Sequence, residues 1–99
     1  MFEKQPFSVS EYTIAHVNGN DILYSENLQK AMILNTTSAF IWDEVCKIHT
    51  QNRFIDYSEI QERVIGEFDI SNIDDNIVLE DIHKTIQQFF NEGFLNLEI

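Results

Sequence analysis

The sequence predicts an α+β fold in which a three-stranded antiparallel sheet is followed by three helices, in one domain spanning residues 1–99. Three observations carry this: an Asn-Gly pair between two apolar runs, a change from strand-like to helical hydrophobic period at Asn35, and a glycine, Gly93, closing the last apolar stripe. A chain of 99 residues has room for one core of two packed layers. Its 43% hydrophobic share, with eight Phe, three Tyr and one Trp, is enough to fill that core.

The elements follow in order. Tyr12 to Val17 and Ile22 to Tyr24 read as strands, and Asn18-Gly19-Asn20-Asp21 between them reads as a hairpin, because Asn and Gly tolerate the positive φ of a tight primed turn. Ser25-Glu26-Asn27 turns the chain again, through Leu28 and Gln29, into a third strand, Lys30-Ala31-Met32-Ile33-Leu34. From Asn35 the period is helical: Ala39, Ile41, Trp42, Val45 and Cys46 share a face, with Asn35, Thr36 and Thr37 offering capping oxygens, and the helix is expected to end near Lys47. A polar connection, His49 to Arg53, leads to Asp56, which has Glu59 in capping-box register ahead of a helix lined by Ile60, Val64, Ile65 and Phe68. The third helix opens between Asn72 and Asn76, and Val78, Leu79, Ile82, Ile86, Phe89 and Phe90 form its broad apolar face. The tail, Phe94 to Ile99, alternates as a strand does, or else clamps back on the core. Strands, then helices, with hairpin-length connections at the front, describe a winged helix-turn-helix arrangement.

Charge excludes the use most often made of that arrangement. Six basic residues stand against seventeen acidic ones, a net charge of −11, and phosphate backbones and anionic lipid repel such a domain. The third helix is the prospective DNA-reading helix, yet it carries Asp74, Asp75, Glu80 and Asp81 and no Lys or Arg before Lys84. The favoured partner is neutral or basic, although an acidic surface also simply disperses a small domain. No apolar run is long enough to span a membrane, and Met1-Phe2-Glu3-Lys4-Gln5-Pro6 lacks the pattern of a secretion signal, so a cytoplasmic location is expected. Cys46, the one cysteine, lies in an apolar helical pattern and reads as a small buried hydrophobe.

Catalytic chemistry finds little support. Glu80 and His83 form a Glu-x-x-His pair, but a di-iron site needs a second copy and further inward carboxylates, so a solvated pair is expected and no metal site. His16 and His49 have no partners at ligand spacing, the serines lie in no nucleophile elbow, and three glycines form no phosphate loop. No catalytic residue and no cofactor are expected. What remains is binding by shape and backbone: a sheet edge can accept another strand.

The stretch Ile33-Leu34-Asn35-Thr36-Thr37-Ser38-Ala39-Phe40-Ile41-Trp42-Asp43-Glu44-Val45 resembles the PqqD family, whose members carry a Leu-Asn-x-Thr-Ala-like strand-to-helix junction followed by Ile, a bulky residue and Val or Leu. Asp56-Tyr57-Ser58-Glu59-Ile60 is similar to that family's capped second helix, with Asp56 where Thr or Ser is usual. Asp81-Ile82, Ile86, Phe89 and Gly93-Phe94-Leu95 follow its closing pattern of Asp-Val, Leu, Leu and Gly-Leu-Leu, so the resemblance runs over residues 12–95. It departs where the longer Lys47 to Ile55 replaces the usual Asp-Gly turn, which leaves both the branch serving PQQ cofactor biosynthesis and the peptide natural-product branch open.

The resemblance implies a precursor-peptide recognition element of winged-helix fold. Such a protein binds the leader segment of a ribosomally synthesised precursor peptide by adding it as a strand to the third strand, against the third helix. It then presents the peptide to a separate modifying enzyme such as a radical enzyme, a peptidase or a cyclase. Carried onto this chain, the docking edge is Lys30, Ala31, Met32, Ile33 and Leu34, and the helix wall is drawn from Val78, Asp81, Ile82 and Thr85. Along that edge Met32 and Leu34 face one way and Ala31 and Ile33 the other. On the helix the Val78, Ile82 and Phe89 flank, rather than the Leu79 and Phe90 side, is taken as the wall. The alternative from another class is a winged-helix regulatory or protein-interaction domain without a leader peptide.

Overall fold

The computed structural model describes residues 6–51, 54–69 and 72–98. The start Met1 to Gln5, read above for a secretion signal, lies outside them, as do Asn52 and Arg53 of the polar connection and Ile99 of the tail. Eight elements follow one another: β1 (Phe7–Val9), β2 (Thr13–Val17), β3 (Asn20–Ser25), β4 (Lys30–Leu34), α1 (Thr36–Thr50), α2 (Tyr57–Phe68), α3 (Asp75–Asn91) and β5 (Leu95–Leu97). Strands β2, β3 and β4 form the expected antiparallel sheet in sequential order, and the three helices come after it.

Local chemistry accounts for the junctions. Asn18 and Gly19 both have positive φ, 52° and 82°, the requirement of the primed turn that joins β2 to β3. At the next turn the Ser25 hydroxyl accepts from Leu28 N–H at 3.2 Å. The Asn35 side chain accepts from Ser38 N–H at 2.8 Å and opens α1, and Asp56 accepts from Glu59 N–H at 3.2 Å and opens α2. Gly93 adopts φ 89°, while Phe94 N–H reaches the Phe89 carbonyl and Gly93 N–H that of Phe90, the paired bonds of a Schellman motif closing α3.

One helix boundary differs from the expectation, and one open alternative is decided. Helix α1 runs past Lys47 to Thr50, because Ile48 continues the buried face of Ile41 and Val45 and Thr50 caps back on the Lys47 carbonyl. His49 is thus helical, tilted against the Phe7 ring at 5.5 Å, rather than in a connection. The tail is a strand, and its partner is the N-terminal segment: β1 and β5 form a second, antiparallel pair with Phe7 opposite Leu97 and Val9 opposite Leu95. The core is one cluster in which Trp42 meets Phe89, Phe94 and Tyr12 in edge-on contacts, joining α1, α3, the tail and the segment before β2.

Candidate functional site

β4 pairs with β3 on one side, with Ile22 opposite Ile33, Leu23 opposite Met32 and Asp21 opposite Leu34. Among the described residues its other edge has no strand partner. A row of main-chain donors and acceptors is therefore left for an incoming strand. The side chains alternate as the pleat demands: Leu34 is 3% exposed and Met32 is half-buried against the core, whereas Ile33 is 72% exposed on the outer face together with Ala31.

Helix α1 packs against β4, and the C-terminal end of α3 reaches the start of the strand. Lys30 Nζ, at the start of β4, pairs with Glu92 Oε1 at 3.0 Å, just past the end of α3. Asp81, Thr85 and Glu92 recur at i, i+4 and i+11 and share one stripe. The ion pair ties the C-terminal end of this stripe to the start of β4. The other side of α3 faces α2, where His83 stacks on Tyr57 with ring centroids 4.0 Å apart. Of the four helix residues named from the sequence, Asp81 is exposed and Thr85 half-exposed, while Val78 and Ile82, 5% and 1% exposed, lie in the core. Those two form the floor beneath the stripe rather than its surface. Ile77, four residues before Asp81, was missed among the acidic residues, yet it is 54% exposed and extends the same stripe. Its i−4 spacing from Asp81 was the signal that could have found it.

Little else in the described residues is built for chemistry. No three His, Cys, Asp or Glu side chains among them gather into a metal-binding group, and no helix is long and apolar enough to cross a membrane. His16 bonds Asp21 across the β2–β3 hairpin. Cys46 is half-buried in a shallow depression with Tyr12 and His49. Burial pushes its thiol above the ordinary value, against the lowering effect of the Tyr12 hydroxyl. One carboxylate the sequence did not mark is structural: Glu44 is buried on α1 and meets Lys47 and, across on α2, Arg63, each at 3.5 Å.

The three-stranded sheet, the three helices after it and the open edge beside α3 define an α+β fold of the winged helix-turn-helix kind. That fold is shared with TbiB1, solved in complex with the TbiA(β) leader peptide: the match has a TM-score of 0.68 over 90% of this chain and 94% of that one, at 17% sequence identity. No family model and no curated protein matches the sequence.

Proposed function

We propose that this chain captures the leader segment of a ribosomally synthesised precursor peptide by strand addition at β4 and presents it to a separate modifying enzyme. The observation that carries this reading is the unpaired β4 edge, with the end of α3 tied to the start of the strand through Lys30 and Glu92. The likeness of fold to TbiB1, a protein solved with a leader peptide, supports it. Main-chain hydrogen bonds supply the affinity in this mode and side chains on both faces the selectivity. The chain itself performs no reaction in this account and works in the cytoplasm. Its −11 charge selects a leader with cationic as well as apolar positions.

The test is a fluorescence-anisotropy titration of the full chain with labelled N-terminal halves of the short peptides encoded beside its gene. Saturable binding to one of them, weakened by Ile33→Pro in a variant whose circular dichroism is unchanged, is expected. Saturable binding that folded Ile33→Pro leaves intact contradicts the β4 edge, and a failure of every such peptide to bind contradicts the leader reading.

A further inference from the structure

The face of the sheet turned away from the helices carries a depression of about 480 Å³ lined by Ile22, Tyr24, Ser25, Glu26, Gln29, Lys30 and Ala31. Its floor is apolar and aromatic, since Tyr24 stands opposite Ala31 and Ile22 opposite Ile33 in the register of β3 and β4. Its rim carries a carboxylate, Glu26, that has no ion-pair partner among the described residues. The one cation at its margin, Lys30, is engaged with Glu92 at 3.0 Å.

We infer that this depression is a subsite for an arginine or lysine of the docked peptide, an inference that rests on strand addition at β4. A strand added beside β4 directs alternate side chains to the outer face, one next to Ile33 and another, two residues away, next to Ala31. Adjacent strands are spaced by about 4.8 Å, so Tyr24 on β3 lies roughly 10 Å from the added backbone, which a short side chain does not span. Arg and Lys do span it. Ala31 is small enough to let such a stem pass, Ile22 and Tyr24 cover its methylenes, and the charged head meets the face of Tyr24 and the carboxylate of Glu26. The position next to Ile33, by contrast, calls for an apolar residue, because Ile33 is 72% exposed. The recognised segment therefore carries an apolar residue and a cation two positions apart, on the same face.

The experiment is a selection of short random peptides displayed on cells against the full chain, retaining those whose binding is lost with folded Ile33→Pro. An apolar residue and an Arg or Lys two positions apart should recur among them. For the tightest peptide, replacing that cation by Gln should weaken binding to the parent about tenfold, but to Glu26→Gln only about threefold, since the Tyr24 contact remains. Ala31→Leu, which fills the gateway, should make the two peptides bind alike. Selected peptides without the spaced cation, or an equal Gln penalty in parent and Glu26→Gln, overturn the subsite and leave strand addition standing. Selection of no peptide sensitive to Ile33→Pro overturns strand addition itself, and the subsite with it.

Discussion

Among the described residues the sheet has two open edges, β2 and β4, made of the same kind of backbone, and only one of them is a site in this account. β2 packs chiefly on β3, and its outward features are a polar His16–Asp21 contact and a half-exposed Val17. β4 has the C-terminal end of α3 tied to its start by Lys30 and Glu92, and a depression on its outer face. An unpaired edge is therefore necessary but not sufficient. What distinguishes β4 is that an added strand would be contacted from both faces, so that selectivity accompanies the main-chain bonds.

The largest effect tests the floor beneath that edge. Ile82 is fully buried, and Ile82→Ala should cost about 2 to 5 kcal/mol of folding stability in urea titrations, while the fraction that remains folded binds leader with near-parental affinity. Unchanged stability with lost binding would make Ile82 a contact wall after all. Next comes the pair of proline substitutions that sets the edges against each other. Ile33→Pro on β4 removes a donor and should weaken leader binding by about 1 to 3 kcal/mol, whereas His16→Pro on β2, if folded, should change it by less than about 0.5 kcal/mol. Equal losses would erase the distinction between the edges.

Smaller effects sharpen the picture. Glu92→Gln breaks an exposed ion pair and should cost roughly 0.2 to 1 kcal/mol of stability at low salt and less at high salt, read from urea midpoints at two ionic strengths. A salt-independent cost would mean that Glu92 acts through packing. The smallest effect lies at the start of β2, where Tyr12 meets Cys46. The Tyr12 hydroxyl is raised by its hydrogen bond with Cys46 and by burial, and the Cys46 thiol by burial. Both folded pKa values lie above the unfolded ones, so the stability they contribute is whole at neutral pH and is lost as pH rises through the raised values. Urea midpoints measured from neutral to alkaline pH should therefore fall less in Cys46→Ala than in the parent. An equal fall in both places the alkaline sensitivity elsewhere.

Much of this was legible because it is local. The Asn18-Gly19 turn, the Asn35 and Asp56 caps and the Gly93 stop are each decided by chemistry within a few residues, and each appears in the fold where the sequence placed it. The β1–β5 pairing was not, because Phe7 and Leu97 sit at opposite ends of the chain: the alternation of the tail suggested a strand but not its partner, and the three residues of β1 carry almost no periodic signal. The same limit applies to α3. Periodicity locates the centre of an apolar stripe, at Val78, Ile82, Ile86 and Phe89, but does not say which margin meets the sheet. Burial separates the four wall residues named from the sequence: Val78 and Ile82 lie in the core, while Asp81 and Thr85, with Ile77 beside them, are accessible. Glu44 was passed over for a related reason: a carboxylate at a core-facing position reads as solvated until Arg63 on α2 is found beside it.

The most direct test of the central claim is amide hydrogen exchange, residue by residue, of the full chain with and without the precursor leader that binds it. Added protection should fall on main-chain amides within Lys30 to Leu34 and leave Thr13 to Val17 unchanged, since strand addition engages backbone donors on one edge alone. Protection appearing along β2, or a leader that binds without slowing exchange anywhere in β4, would contradict it.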